Sequence, residues 1–344
     1  MDPASIEESS GAPPRILLTR LRYLGDVILT TPAIEAAREC FPGAEIYYMA
    51  EAPYSDVLMH HPGLDGIIEA SNGLSGTIRT VMELRRMRFA AAVDMFYNPR
   101  SANLLYLAGI PVRVGGTRRW RRRLYTHRFE AGRKGISAVE HHLSAVSALG
   151  CETDRRMPRI HVSDEEMSAG TGRIRGLFDG RVPSRTVAFH PGGTWPSKRW
   201  RAERFSELAR LAAGETGASV LLVTGPGEER LTGRIEAETP ASVRRLPLVG
   251  LRELAGVLSS CDAAVSNDGG VLHMAVALGR PTVGVFGPTE PDIWFPYEGR
   301  GPYRVITRNE TCAPCHLHRC DDMRCLDNIS AAEVLEGLRD VTGW

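Results

Sequence analysis

Short apolar runs alternate with amphipathic stretches along most of the chain. Short runs rich in Val, Ile, Leu and Ala are typical of strands that are buried on both faces of a parallel sheet. They lie at residues 16–19, 45–49, 90–94 and 111–114 in the first half, and at residues 186–189, 219–223, 263–266 and 281–286 in the second half. Apolar residues at helical spacing separate most of these runs, so the pattern predicts two α/β units.

One stretch between the two halves lacks this pattern. Residues 163–184 are charged, contain glycines and show no strong apolar periodicity, which is typical of a connection between domains. We therefore predict one domain over residues 14–165, a second over residues 180–326 and a C-terminal helix within residues 327–344. The first 13 residues carry acids but neither the basic region nor the apolar core of a signal peptide, and we predict a disordered tail there.

Composition narrows the class of protein. Of the 344 residues, 43% are hydrophobic and 24% are charged, as in soluble globular proteins, and the length suits two domains of ordinary size. No run in the sequence approaches the roughly 20 consecutive apolar residues that a membrane-spanning helix needs. We expect a cytoplasmic protein.

The net charge of +1 conceals a basic segment between residues 113 and 134, with nine cations against the single acid Glu130. The cations are Arg113, Arg118, Arg119, Arg121, Arg122, Arg123, Arg128, Arg133 and Lys134. Trp120, Leu124 and Tyr125 lie between them. Such a segment is typical of contact with an anionic membrane surface or with nucleic acid, and also of a solvated loop.

The turn after the third apolar run of the second half predicts an anion-binding site. Asn267 and Asp268 are followed by Gly269 and Gly270, where a helix carrying His273 begins. Glycines let the backbone turn sharply and present free N–H groups at the start of the helix, which stabilise a phosphate. The Asp268 carboxylate can accept hydrogen bonds from sugar hydroxyls, although a turn capped by an aspartate gives the same pattern.

A second candidate turn follows the run at residues 186–189. Its sequence, His-Pro-Gly-Gly-Thr-Trp-Pro-Ser-Lys-Arg-Trp, precedes a predicted helix over residues 202–213. Thr194 and Ser197 offer hydroxyls, and Lys198 offers a positive charge suited to a diphosphate. The place where a strand ends and a helix begins is the usual ligand-binding edge of an open α/β sheet, which distinguishes this lysine from an ordinary surface cation.

Two further turns carry carboxylates. Gly25 and Asp26 follow the first apolar run and begin an amphipathic helix. The helix dipole there favours the ionised form of Asp26. An aspartate that only caps the helix would have the same sequence. Glu228 and Glu229 follow the turn Thr-Gly-Pro-Gly. A carboxylate there can accept from the ribose hydroxyls of a nucleotide, whereas an exposed first-turn glutamate is the plainer interpretation.

Three motifs in this order resemble glycosyltransferase family 9, the heptosyltransferases of lipopolysaccharide core synthesis. They are the Gly-Asp pair at the entry helix, the Pro-Gly-Gly…Trp…Lys-Arg-Trp segment, and Ser-Asn-Asp-Gly-Gly…His before Gly-Arg-Pro-Thr-Val-Gly-Val-Phe-Gly-Pro-Thr. The resemblance spans residues 15–326. It implies the GT-B fold, in which two Rossmann-like domains face each other across a cleft and the final helix folds back on the first domain.

The resemblance also implies an activity. We expect an inverting transferase that moves a sugar, heptose from ADP-heptose, onto a phosphorylated glycolipid of the lipopolysaccharide inner core at the cytoplasmic face of the inner membrane. Asp26 is the candidate general base, and Asp268 and His273 belong to the donor site. The arginines expected to meet the acceptor or the membrane are Arg119, Arg121 and Arg122. Contact with nucleic acid is not expected.

No catalytic metal is expected, because the sequence contains no Asp-x-Asp pair of the kind that holds a divalent ion in metal-dependent transferases. Lys198, Thr194 and the N–H groups near Gly269 and Gly270 are expected to neutralise the leaving diphosphate. The fold alone leaves two other classes open: a nucleotide-sugar epimerase, which needs no acceptor, and a non-catalytic nucleotide-sugar-binding protein.

Four of the seven cysteines form a cluster with the spacing Cys-x2-Cys-x4-Cys-x4-Cys. Its members are Cys312, Cys315, Cys320 and Cys325, with His316 and His318 between them. In a reducing cytosol such a cluster indicates thiolate metal ligation before disulfides. The spacing is tighter than that of the common zinc ribbon, so a structural zinc and unligated thiols both remain open.

Overall fold

The computed structural model describes residues 13–117, 123–130 and 135–344. The chain divides into two compact units, and the division falls between His161 and Val162. Each unit is built on one six-stranded sheet in which all neighbouring strands are parallel, so the predicted α/β architecture is confirmed.

In the first unit, the order of the strands in the sheet reverses beside a central strand. Its strands are β1 (Arg15–Thr19), β2 (Glu45–Ala50), β3 (Gly66–Glu69), β4 (Ala91–Asp94), β5 (Val112–Gly116) and β6 (His127–Phe129). They lie in the order β3-β2-β1-β4-β5-β6. The chain adds β2 and β3 on one side of β1 and then crosses to the other side. The carboxyl ends of β1 and β4 therefore meet where the order reverses, which is the usual ligand site of such sheets.

Helices cover both faces of the first sheet. They are α1 (Leu24–Ile28), α2 (Thr31–Cys40), α3 (Gly73–Met87), α4 (Pro99–Leu107) and α5 (Ala138–Ser147), with a 3-10 helix at Tyr54–Leu58. Contacts join α2 to α5 and α3 to α4. A disulfide links Cys40 to Cys151, with the two Cα atoms 5.3 Å apart. The spacing of the cysteines in the sequence did not indicate this pair.

The second unit repeats the arrangement. Its strands are β7 (Thr186–His190), β8 (Ser219–Val223), β9 (Val243–Leu246), β10 (Ala263–Asn267), β11 (Thr282–Val285) and β12 (Tyr303–Ile306), in the order β12-β11-β10-β7-β8-β9. Its helices are α6 (Asp164–Leu177), α7 (Ala202–Thr216), α8 (Glu229–Ala237), α9 (Leu251–Ser259), α10 (Gly270–Ala277), α11 (Pro291–Trp294), α12 (Arg324–Asp327) and α13 (Ala331–Thr342), with a 3-10 helix at Pro196–Lys198. The order reverses between β7 and β10, so the two predicted glycine-rich turns emerge side by side.

The segment that we predicted as a domain junction is largely α6, and it belongs to the second unit. Ser163 and Glu166 form a capping box at its start: the Ser163 hydroxyl accepts from the Glu166 N–H, and the Glu166 carboxylate accepts from the Ser163 N–H. The helix packs closely on α9 through glycines, since a Cβ on Gly170 would lie 2.2 Å from the Gly256 carbonyl oxygen. Packing through glycines needs no wide apolar stripe, which explains why the sequence pattern was weak.

The final helix differs from what the resemblance implied. The helix α13 packs on α7 and β12, and its Val334, Leu335 and Leu338 are buried in the core of the second unit instead of the first. Residues 1–12 of the predicted tail lie outside the described residues. Among the described residues, no helix is both long and apolar enough to cross a membrane.

Candidate active site

Asp26 lies in the first turn of α1, close after the carboxyl end of β1, as the sequence predicted. Its Oδ1 accepts a hydrogen bond from the Arg20 guanidinium at 2.5 Å, and its Oδ2 accepts from the Tyr23 N–H at 3.4 Å. The side chain is 19% exposed. A carboxylate that is held at both oxygens and still accessible can take a proton from a ligand hydroxyl.

Arg20 connects Asp26 to the neighbouring strand, a partner that the sequence did not indicate. The guanidinium donates to the carbonyl of Met95 at 3.3 Å and lies 4.4 Å from the ring centre of Phe96. Both residues directly follow β4. The Asp26–Arg20 ion pair therefore joins the ends of the two strands at which the sheet order reverses.

A buried carboxylate ends β4 beside this pair. Asp94 accepts from the Tyr125 hydroxyl at 2.7 Å and from the N–H groups of Phe96 and Tyr97 at 3.0 and 2.7 Å. Burial raises the pKa of Asp94 in spite of these hydrogen bonds. Asp94 thus ties the basic segment to the sheet through Tyr125.

The arginines predicted to meet the acceptor, Arg119, Arg121 and Arg122, lie outside the described residues, so their role stays a prediction. The described flank of the basic segment has structural contacts. Arg113 donates from Nε to the Leu124 carbonyl at 2.7 Å. At this flank the basic segment is therefore anchored and is not simply a solvated loop.

The second unit brings two of the predicted turns together in one ion pair. The Lys198 Nζ lies 2.6 Å from Oδ2 of Asp268, and the Thr289 hydroxyl donates to the same oxygen at 2.6 Å. The side chains of Lys198 and Asp268 are 15% and 4% exposed. Within the described part of the chain both contacts fall on Oδ2, which leaves Oδ1 to accept from a ligand. The sequence predicted both charged residues but not their pairing, and it did not predict the role of Thr289.

Asn267 fastens these turns to each other. Its Oδ1 accepts from the Trp200 N–H at 3.1 Å, and its Nδ2 donates to the carbonyls of Pro191 and Gly192 at 2.8 and 3.0 Å. The side chain is fully buried. Only an amide of this length supplies both an acceptor and two donors, so Asn267 holds the ends of β7 and β10 in register.

Glu228 is buried, in contrast to the exposed first-turn glutamate that was the plainer interpretation of the sequence. Its Oε1 accepts from the Gly193 N–H at 2.9 Å, and its Oε2 accepts from the Gly225 N–H at 2.8 Å and lies 3.1 Å from His190 Nε2. Burial by itself raises the pKa of Glu228, but the hydrogen bonds from His190 and the two N–H groups lower it to about 2. The adjacent Glu229 is exposed.

Glycine is required on one side of this carboxylate. A Cβ on Gly192 would lie 2.0 Å from the Glu228 carboxylate. Gly269 is different, because its φ of 179° is extended backbone and a Cβ there would meet nothing closer than 3.9 Å. The backbone bends at Asp268 and Gly269 as predicted, but this bend does not require a glycine at position 269. The space above it is open, and the N–H groups in the first turn of α10 have no intrahelical acceptor.

His273 and Ser197 have structural partners. His273 is buried, with its Nδ1 3.2 Å from the Tyr297 hydroxyl, which fits a supporting role for the Asp268 loop. The Ser197 hydroxyl is buried and donates to the Leu317 carbonyl. In contrast to the prediction, it is therefore not available to bind the nucleotide sugar. Thr194 is exposed and keeps its hydroxyl accessible.

The four clustered cysteines differ in exposure. Cys312 is exposed, Cys315 and Cys320 are half-buried, and Cys325 is buried. Burial and the neighbouring thiols raise the pKa of Cys325 to about 11. Among the described residues, no three His, Cys, Asp or Glu side chains are grouped to hold a metal ion. The zinc site stays a prediction.

Comparison with known proteins gives a consistent assignment. The sequence profile of glycosyltransferase family 9 (heptosyltransferase) matches residues 77–325, more than half of the chain. Lipopolysaccharide heptosyltransferase 1 of Pseudomonas aeruginosa is 29% identical over 321 residues, which cover 89% of this chain and 87% of that protein.

Solved structures agree with the predicted fold. The family 9 glycosyl transferase from Veillonella parvula superposes with a TM-score of 0.83 at 24% identity, covering 96% of this chain and 97% of that one. The ADP-heptose lps heptosyltransferase II of Escherichia coli superposes with a TM-score of 0.80 at 24% identity, covering 95% and 98%. These likenesses confirm the GT-B fold class.

Proposed function

The chain belongs to glycosyltransferase family 9, and on that premise we propose that it transfers heptose from ADP-heptose to a phosphorylated glycolipid of the lipopolysaccharide inner core. The observation that carries this proposal is the Lys198–Asp268 pair at the carboxyl edge of the second sheet. The pair places a cation that can bind a diphosphate 2.6 Å from a carboxylate that can accept hydrogen bonds from sugar hydroxyls. A nucleotide sugar presents both kinds of group next to each other.

The donor is bound by groups of the second unit. The Lys198 ammonium, the Thr194 hydroxyl and the N–H groups at Gly269 and Gly270 neutralise the diphosphate as it leaves. Asp268 accepts from the sugar hydroxyls through Oδ1. Glu228 keeps lone pairs on Oε1, so it can also accept from a ribose hydroxyl that enters over the glycines.

The acceptor is activated by the first unit. Asp26 takes the proton of the acceptor hydroxyl while the new bond forms at the anomeric carbon, and the Arg20 contact fixes its orientation. The diphosphate leaves from the opposite face, so the configuration inverts. The transition state has oxocarbenium character, by analogy with glycoside hydrolysis. No step needs a divalent ion, because protein groups meet the diphosphate charge, and activity is expected to persist in EDTA.

Binding of the glycolipid acceptor depends, in this proposal, on the positive charge of the basic segment. We propose that Arg119, Arg121 and Arg122 meet the phosphates of the glycolipid, and that the protein acts as a peripheral protein at the cytoplasmic face of the inner membrane. Anionic headgroups attract such basic segments.

The thiols of the cysteine cluster take no part in the proposed transfer. If it holds a structural zinc, protein prepared without chelators should contain about one equivalent of metal, and chelation should destabilise it because metal binding is coupled to local folding. Metal analysis that finds none would leave free thiols.

A screen of nucleotide sugars tests the proposed donor. ADP-heptose at 100 times its dissociation constant should raise the free energy of unfolding by about 2.7 kcal/mol, while UDP- and GDP-sugars should not. Transfer to a heptose-deficient lipopolysaccharide precursor should follow. Family membership favours transfer over epimerisation, and conversion of the nucleotide sugar without any acceptor would contradict the proposal.

A further inference from the structure

The cysteine-rich segment, residues 312–325, contacts both loops of the proposed donor site. One loop carries Lys198 and the other carries Thr289, which bonds Asp268. No cysteine thiol makes these contacts; they are made by backbone groups and by the side chains of residues between the cysteines.

The first contact is a ring stack. The imidazole of His318 stacks on the indole of Trp195, with ring centres 4.0 Å apart and planes 26° apart. The Lys198 Nζ lies 4.4 Å from the centre of the same indole. Trp195 therefore connects an exposed histidine to the cation of the ion pair.

The second contact is made by the backbone of the segment. The Ser197 hydroxyl donates to the Leu317 carbonyl, and the Ser197 N–H donates to the His318 carbonyl at 3.3 Å. These bonds fix the residue directly before Lys198. The start of the lysine side chain is therefore held by the same segment that holds its aromatic neighbour.

The third contact reaches the other loop. The N–H groups of Cys315 and His316 donate to the Pro288 carbonyl at 3.1 and 3.0 Å, and His316 Nε2 lies 2.9 Å from the Glu290 carboxylate. Pro288 and Glu290 flank Thr289. The segment thus bridges the loop of the cation and the loop that orients Asp268.

We infer that His318 is a positioning residue for the donor site: its ring holds Trp195, and Trp195 holds the Lys198 ammonium where the diphosphate binds. This inference rests on the proposed function. A lysine side chain has four rotatable bonds and loses much conformational freedom when it is fixed. An indole that is itself held by a stacked ring removes alternative lysine conformations before the donor arrives, which lowers the cost of binding. The indole face also attracts the ammonium directly.

Calorimetric titration of the full-length protein with ADP-heptose, and separately with ADP, tests this role. His318→Ala should weaken both affinities about three- to tenfold, the range of an aromatic stack, while His318→Phe keeps a ring and should restore wild-type affinity. Asp321→Ala is the matched control. It lies exposed in the same segment, and its side chain forms no hydrogen bond or ion pair within the described part of the chain. Its affinity should equal that of the wild type.

A double-mutant cycle separates positioning from general stability. In a Lys198→Ala background, His318→Ala should cause no further loss of affinity, because its effect acts through the lysine. An additive loss would overturn the inference, as would equal weakening in His318→Ala and His318→Phe. If the wild type binds no nucleotide sugar, the proposed function fails and the inference fails with it. If the wild type binds ADP-heptose and His318→Ala binds it equally well, the inference alone fails.

Discussion

The Asp26 corner of the first unit and the Lys198–Asp268 corner of the second lie at equivalent places, each where the order of a parallel sheet reverses. Their internal organisation differs. In the second corner, buried Asn267, Glu228 and Asp268 cross-link the turns that follow the strands. In the first corner, Asp26 is oriented mainly by Arg20 and by the N–H of Tyr23.

This difference matches the chemistry proposed for each corner. A diphosphate carries charge that must be met by several fixed dipoles and cations, so its site has to be organised before the ligand binds. A general base needs one accessible carboxylate in a set orientation. Substitutions in the two corners should therefore separate turnover from donor binding.

The largest expected effect comes from the first corner. Asp26→Asn should reduce turnover by about 100-fold or more, because an amide cannot take the proton from the hydroxyl of the acceptor. Affinity for the nucleotide sugar and folding should stay near wild type. Steady-state transfer assays measure the first quantity. A variant that transfers heptose at the wild-type rate would show that Asp26 only caps α1.

The next effect comes from the second corner. Lys198→Ala should weaken donor affinity by about 10- to 100-fold, the range for losing a hydrogen bond to a charged group, and should slow departure of the diphosphate. Arg201→Ala is the control, because Arg201 is a nearby surface cation that pairs with Asp327. If both variants lose affinity equally, the effect is one of general charge and not of the Lys198 site.

Glu228 offers a test of the buried framework through pH. Its folded pKa of about 2 lies below the unfolded value of 4.5, so the ionised group stabilises the protein above pH 4.5, and this stabilisation is lost as the pH falls toward 2. Glu228→Gln should lower the free energy of unfolding by about 1–2 kcal/mol at pH 7, since the amide oxygen keeps part of the hydrogen bonding. Denaturant titrations should show the difference from wild type shrinking between pH 4.5 and 2. A difference that is constant with pH would remove the carboxylate from this role.

The smallest effect is expected from the basic segment. Replacing Arg119, Arg121 and Arg122 with serine should weaken use of the acceptor severalfold and leave nucleotide-sugar binding unchanged. Contacts with an anionic surface are screened over about 8 Å at physiological salt, so wild-type acceptor affinity should fall as salt rises and the variant should respond less. Equal salt dependence in the two proteins would assign these arginines to a solvated loop.

The apolar pattern predicted the inner strands of both sheets and missed every edge strand. The edges are β3, β6, β9 and β12, with the sequences Gly-Ile-Ile-Glu, His-Arg-Phe, Val-Arg-Arg-Leu and Tyr-Arg-Val-Ile. An inner strand is buried on both faces and needs a continuous apolar run. An edge strand keeps polar side chains in solvent, so its sequence resembles that of a loop.

The candidate site shows a similar limit. Its turns were found because glycines, carboxylates and a lysine directly follow apolar runs. The contacts across the turns were not found, because Lys198 meets Asp268, and Glu228 meets Gly193, only once β7 lies between β8 and β10. That strand order depends on how the whole unit folds, so no local sequence pattern predicts it. For the same reason Ser197 could not be distinguished from Thr194.

Calorimetric titration of ADP-heptose into Asp26→Asn and Lys198→Ala tests the central claim most directly, namely that the second unit binds the donor and the first unit supplies the base. We expect Asp26→Asn to bind with the wild-type dissociation constant in spite of its loss of turnover, and Lys198→Ala to bind about 10- to 100-fold more weakly. Loss of donor binding in Asp26→Asn, or wild-type binding in Lys198→Ala, would contradict this division of roles.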